Sequence, residues 1–372
     1  MSTVAFVCDA GPVLGAGHVM RSLGLAEEFA ARGHRPVFVA DVDGVPWLRE
    51  AITSRGFAVM PLAGLLADLV VMDAYHVPRA VSAGFRAAGI PVLAIVDAGH
   101  GDHEADVYVD QNLGAVPDPR RAGAVQLTGP AYALVRSDVR ALRPARLDAV
   151  RPQGALAGMA GSADTADAVR PGAARTDTAR PGAARVGRSP RVLAFFGGTD
   201  AYGVAPLLTE ALAATGVPCE ATVVAATPAL AVSVAAVTPA PGQLIEVIPA
   251  GAPLAARIVA ADLVIAAAGS SLWELCCLGA AAALVCVVDN QVSGYRQAVG
   301  AGVVAGLGTR ESLAASTASA AATLRELLVH PERRAHLATA AFALVDGAGR
   351  ARVADAAERV VTARADPAGA IR

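Results

Sequence analysis

Val4-Ala5-Phe6-Val7-Cys8 is apolar throughout and runs into Asp9-Ala10-Gly11 and then Gly15-Ala16-Gly17-His18-Val19-Met20-Arg21. A short strand with no polar face is one covered on both sides, as strands of parallel sheets are. After the glycines, Met20, Leu23, Ala26 and Ala30 recur at helical spacing as far as Arg32. Gly33 then supplies the residue best suited to the left-handed position that ends a helix. Strand, glycine-rich turn and helix in this order begin a parallel α/β domain. The turn is an anion site in waiting, because small residues let backbone N–H groups approach a ligand and the helix start adds partial positive charge.

Outward from this stretch the alternation continues. Val37–Ala40, Ala58–Met60, Leu69–Met72, Val92–Val96 and Val107–Val109 read as further strands, with amphipathic segments between them. Residues 143–190 differ: they carry Arg-Pro-Gly-Ala-Ala-Arg at Arg170–Arg175 and again at Arg180–Arg185, with few bulky apolar residues to offset ordering entropy. They read as a flexible linker, with a regulatory or RNA-touching arginine segment as the competing reading. The pattern restarts at Arg191, with strands at Val192–Phe196, Ala221–Val224, Ile245–Ile248, Leu263–Ala266, Ala283–Val288 and Val303–Ala305. From about Ser312 the chain reads as helical, broken at Pro331 and at Asp346–Gly349, with a last helix near Arg350–Arg364 placed to pack back on the first domain. The expected organisation is an N-terminal domain over 1–142, a linker over 143–190 and a C-terminal domain with added helices over 191–372, which suits the 372-residue length.

Composition narrows the chemistry. A net charge of -2 gives no broad positive field, so nucleic acid is not an expected partner. All 31 basic residues are arginines, and without lysine there is neither a Schiff base nor a lysine-bearing phosphate loop. The five cysteines, Cys8, Cys219, Cys276, Cys277 and Cys286, mostly lie within apolar runs and read as core residues of a reducing compartment. Ser2–Asp9 lacks the basic flank of a signal peptide, and no apolar stretch suggests an integral membrane segment. The expectation is a cytoplasmic protein with a small-molecule partner; partner proteins are not indicated.

His18 begins the first helix, where the dipole disfavours the imidazolium and suits a general base. The competing reading is a ring that caps or packs. Arg21, one turn on, reads as meeting a phosphate or an acid partner, or as a solvated helix residue. Asp73-Ala74-Tyr75-His76 ends the fourth strand and Asp97 the fifth, which directs them with His18 to the carboxyl edge where open α/β sheets bind ligands. In the second domain Gly197-Gly198-Thr199-Asp200 follows the first strand, and Gly269-Ser270-Ser271-Leu272-Trp273-Glu274 joins a buried strand to a helix. Gly269, Ser270 and Ser271 are suited to a diphosphate and Glu274 to a ribose or sugar hydroxyl, while simple N-capping also accounts for Ser270. Asn290-Gln291 offers amides at the same edge. A dinucleotide-cofactor reading competes at Gly15-Ala16-Gly17, but Met20 stands where that fingerprint needs Gly or Ala. Asp97, His100, Asp102, His103, Glu104 and Asp106, and separately Asp41-Val42-Asp43, are weak metal candidates; neither a metal nor a cofactor is expected.

Taken together, Gly15–Arg21, Asp73-Ala74-Tyr75, Gly129-Pro130-Ala131-Tyr132-Ala133-Leu134-Val135-Arg136, Gly197–Asp200, Gly269–Glu274 and Asn290-Gln291 resemble a family spanning both domains. It contains the UDP-2,4-diacetamido-2,4,6-trideoxy-β-L-altropyranose hydrolase of pseudaminic acid biosynthesis and the spore coat polysaccharide biosynthesis proteins. The resemblance implies a GT-B fold of two Rossmann-like domains facing a central cleft, akin to the N-acetylglucosaminyltransferase that makes lipid II. It implies metal-free release of UDP from a UDP-sugar with inversion at the anomeric carbon. His18 would activate water, with Tyr75 placing it and Asp73 and Gly17 beside them. Gly198, Thr199, Ser270 and Ser271 would hold the diphosphate, Glu274 the ribose, and Asn290 and Gln291 the sugar. A glycosyltransferase using an acceptor hydroxyl, or a non-catalytic nucleotide-sugar sensor, would use the same cleft.

Overall fold

The computed structural model describes residues 1–11, 15–97, 101–150 and 188–365. The first domain runs β1 (Thr3–Cys8), α1 (Gly17–Ala31), β2 (Arg35–Val39), α2 (Pro46–Thr53), β3 (Ala58–Val59), β4 (Leu69–Asp73), α3 (Arg79–Ala87), β5 (Val92–Ile95), β6 (Val107–Asp110) and β7 (Val125–Thr128). Helix α4 (Ser137–Val150) follows. The second domain runs β8 (Arg191–Phe195), α5 (Val204–Ala214), β9 (Cys219–Ala225), α6 (Pro228–Ala235), β10 (Gln243–Pro249), α7 (Ala255–Ala260), β11 (Leu263–Ala267), α8 (Ser271–Leu278), β12 (Ala282–Cys286), α9 (Val292–Gly300) and β13 (Ala305–Thr309). Four helices close the chain: α10 (Arg310–Ala315), α11 (Ala318–Val329), α12 (Pro331–Leu344) and α13 (Gly349–Ala365).

Both sheets are wholly parallel. The first has seven strands in the order β3-β2-β1-β4-β5-β6-β7, the second six in the order β10-β9-β8-β11-β12-β13. The chain reverses its direction of travel between β1 and β4 and again between β8 and β11, and ligands of such sheets bind in the crevice at these reversals. The expected strands are present within a few residues. Strand β7 is an addition that the apolar pattern did not reveal, since only Leu127 of its four residues is buried.

Two chain segments tie the domains together. In the first, alternate residues point opposite ways, as an extended segment dictates: Leu134 enters the core of the first domain, while Ala133 and Val135 enter that of the second. Gly24 of α1 packs so closely here that a β-carbon on it would lie 3.1 Å from the Val135 backbone. The second tie is α13, whose Val353, Ala354, Ala356 and Ala357 complete the first domain's core. Arg32, the residue that ends α1, donates to Asp355 (2.7 Å) and Glu358 (2.8 Å) on this returning helix.

Helix α4 crosses the expected boundary at 142/143, so the start of the presumed linker is helical. Arg143 belongs to the packed structure: it donates to the carbonyls of Cys277 (2.6 Å), Val345 (2.5 Å) and Phe342 (3.1 Å), with its guanidinium 3.6 Å from the centre of the Phe342 ring. The repeats at 170–185 lie outside the described residues. Among the described residues, no helix is long and apolar enough to cross a membrane.

Gly349 opens α13 against the first tie, and a β-carbon there would fall 2.5 Å from both Ala133 N and Tyr132 C. Gly349→Ala is expected to destabilise the protein by about 1–3 kcal/mol through overpacking, measured as a lowered Tm in thermal denaturation.

Candidate active site in the interdomain cleft

Successive strand ends of the first sheet each deliver one polar group to the same edge. Asp73 is the last residue of β4, in register with Cys8 of β1. Asp97 lies just past β5, Asn112 just past β6, and His18 enters from the β1 side at the start of α1. Asp73 is fully buried and accepts from four donors: His18 Nδ1 (2.6 Å), Arg21 Nη2 (2.6 Å), Arg21 Nε (2.8 Å) and Ser22 Oγ (3.0 Å). Arg21 reaches on to Asp97 through Nη1 (2.7 Å), and Asn112 donates to Asp97 (2.7 Å) and to Asp110 (2.8 Å). The Tyr75 hydroxyl donates to Asp97. The His18 and Tyr75 rings meet edge to face, 4.6 Å between centres.

The protonation states follow from this packing. Burial alone would raise the Asp73 carboxyl, but the Arg21 charge, and after it His18, hold it well below the usual carboxylate range. Asp97 is lowered against the same burial by Arg21, Tyr75 and Asn112. Burial first, then the Asp97 charge, pushes the Tyr75 phenol far up, so it stays protonated and serves as a donor. An ionised Asp73 has no hydrogen to give, so the His18 Nδ1 carries the hydrogen between them. That fixes the tautomer and leaves Nε2 able to take a proton, the division of labour of a His–Asp pair in a catalytic triad.

Of the readings open for Arg21, a phosphate contact, an acid partner or a solvated position, the structure places it on acid partners. Its guanidinium is almost fully buried and bound to both carboxylates, so it neutralises the site from within. Asp9, beyond β1, acts on Tyr75 from the other side: its Oδ2 accepts from the backbone N–H of Tyr75 (2.6 Å) and His76 (3.1 Å) and contacts His76 Nδ1 at 2.9 Å.

The second domain brings its glycine loops against this edge. Ser270 does not cap α8 with its side chain; its hydroxyl sits instead 3.4 Å from the Gly17 carbonyl, in the residue before His18. Gly15 faces Thr199, and Ala16 faces Gly198. Asp200 holds its loop by accepting from Val204 N (2.9 Å) and Ala205 N (3.0 Å), at the cost of a left-handed φ of 40° that non-glycine residues rarely adopt. Burial pushes the Asp200 carboxyl up despite those two bonds. Gln291 accepts from Val287 N (2.9 Å), leaving its amide nitrogen beside Gly269.

Glu274, expected to meet the ribose, is paired across the domains. Arg136 of the first interdomain tie grips both of its oxygens, Nε to Oε1 at 2.7 Å and Nη2 to Oε2 at 2.9 Å. The weak metal candidates disperse among arginines: Asp102 and Glu104 bind Arg79, Asp106 binds Arg86 and Arg364, and Asp43 binds Arg49. His103 contacts the Ala74 carbonyl, and His100 lies outside the described residues. Asn112 and Ser22 were missed in the sequence, and Arg136 stood there only as the end of a motif, without a role. For Asn112 the signal was there: a polar residue just past an apolar strand, at the edge already carrying Asp73 and Asp97.

This architecture is the GT-B fold. The solved structures that resemble the chain include Acinetobacter baumannii MurG, at 17% identity and a TM-score of 0.65 over 96% of this chain and 100% of that one. They also include spinosyn rhamnosyltransferase SpnG with thymidine diphosphate (16% identity, TM-score 0.58, 95% and 99% covered) and an S. aureus MnaA–UDP co-structure (10%, 0.57, 97% and 97%). Neither a protein-family model nor a curated protein matches the chain by sequence.

The buried cation is what makes the buried Asp73 and the part-buried Asp97 tolerable, so Arg21→Met is expected to cost about 3–5 kcal/mol. The folded pKa values of Asp73 and Asp97 are depressed, so the wild-type contribution is full above the ordinary carboxylate range and is lost as pH falls below it. In the variant the unpaired carboxylates bind protons more readily when folded, so its Tm deficit should narrow as pH falls towards about 4. Melting curves across pH check both signs.

Proposed function

We propose that the chain is a nucleotide-sugar hydrolase that releases UDP from a UDP-diacetamido-trideoxyhexose, with His18 as general base. The observation that carries this reading is the His18–Asp73 pair, set at a glycine turn and directly opposed by the Ser270 loop of the other domain. The sequence resemblance and the sharing of this fold with a UDP-bound enzyme structure support it.

In the proposed reaction a water gives its proton to His18 Nε2 as its oxygen forms a bond to the anomeric carbon. The bond from that carbon to the β-phosphate oxygen breaks on the opposite face, so the configuration inverts and UDP departs with the electron pair. Asp73 stabilises the imidazolium, and Arg21 keeps Asp73 ionised. Tyr75, protonated and fixed by Asp97 and Asp9, orients the water. Backbone amides around Gly198 and the hydroxyls of Thr199, Ser270 and Ser271 receive the diphosphate, where the N-terminus of α8 favours negative charge. Asn290 and Gln291 face the sugar. The setting is the cytoplasm, in the synthesis of a nonulosonic acid or surface polysaccharide.

Wild-type protein is expected to release UDP from such a substrate in the presence of EDTA. His18→Ala should lower the rate by about 10²–10⁴-fold while calorimetry finds UDP affinity unchanged. Equal turnover by His18→Ala would remove the base from the mechanism. UDP release that requires an added sugar or lipid hydroxyl would replace hydrolysis by glycosyl transfer, and UDP binding without any release would leave a sensor.

A further inference from the structure

Trp47, the second residue of α2, comes from the first domain and reaches into the glycine loops of the second. A β-carbon on Gly198 would lie 2.6 Å from the Trp47 Cη2 and 3.0 Å from Ala16 Cβ, and one on Gly251 would lie 2.9 Å from Trp47 Cβ. The indole therefore spans the gap between the loop after β8 and the loop after β10, with its outer ring edge on one and its root on the other. It is only partly buried, packing against the first domain's core at the same time.

The strand order says what lies there. β8 and β11 are neighbours at the middle of the second sheet, and their loops carry Gly198, Thr199, Ser270 and Ser271. β12, with Asn290 and Gln291 beyond it, lies to one side; β10, with Gly251 beyond it, lies to the other. A diphosphate held at the middle sends its two substituents in opposite directions. If the sugar takes the β12 side, the nucleoside takes the β10 side, where the indole of Trp47 lies against Gly251.

We propose that Trp47 is the nucleoside-binding residue contributed by the first domain, its indole stacking on the base of the bound nucleotide. This rests on the nucleotide-binding reading above and adds to it the ligand part that the first domain recognises. A flat π face accepts any base, so stacking gives affinity for the nucleoside portion and none for pyrophosphate.

The chain has two tryptophans, Trp47 and the buried Trp273, so the part of a ligand-induced fluorescence change that disappears in Trp47→Phe belongs to Trp47. UDP is expected to quench wild-type fluorescence, and Trp47→Phe to abolish the quench while binding UDP within a few-fold of wild type by calorimetry. Trp47→Ala is expected to bind UDP about tenfold or more weakly, with pyrophosphate affinity unchanged. Wild-type UDP affinity in Trp47→Ala, or equal losses for UDP and pyrophosphate, would overturn the stacking role and leave the nucleotide site standing. A wild-type protein that does not bind UDP would overturn both.

Discussion

A carboxylate with no solvent contact is the constraint around which the first domain's cleft edge is built. Asp73 gains nothing from water, so its charge persists only because Arg21, Ser22 and His18 all point at it. Each of those groups is thereby immobilised. The same carboxylate that requires Arg21 to be buried also dictates which nitrogen of His18 bears hydrogen. The electrostatics of the fold and those of the proposed chemistry are one set of bonds.

That set extends across the sheet. Asn112 fixes Asp97, Asp97 fixes Tyr75 and Arg21, and Arg21 fixes Asp73. Asn112 also lies 3.6 Å from where a β-carbon on Gly294 of α9 would stand, so the row begins beside the second domain and ends at His18. The glycines on either side of the cleft serve contact as much as flexibility: Gly17, Gly198 and Gly251 each make room for a side chain of the opposite domain. Close approach of the two domains is thus written into residues that have no side chain.

Much of this was legible in the amino-acid order. Strands buried on both faces announce themselves as unbroken apolar runs, and a polar residue just after such a run must lie at the sheet's carboxyl edge, which is how Asp73, Tyr75 and Asp97 stand out. Strand β7 escaped because an edge strand with half-exposed residues has no apolar signature. The Arg136–Glu274 pair escaped for another reason: its members are 138 residues apart, and no local pattern specifies a partner in the other domain. Trp47 was hidden by its setting, since Pro46-Trp47-Leu48 reads as an ordinary helix start with an apolar face. For Arg21 the order of residues allowed either a phosphate or an acid partner, and only the packing shows the two carboxylates it meets.

The return of α13 to the first domain bears on how the chain is made. Val353, Ala354, Ala356 and Ala357 fill a core whose other buried members lie between Val4 and Leu134. During synthesis that core stays open along one side of α1 until Gly349–Ala365 has left the ribosome. The N-terminal half therefore cannot mature as an independent unit ahead of its partner, and a premature stop before Gly349 would leave an exposed apolar groove for chaperones or proteases to find.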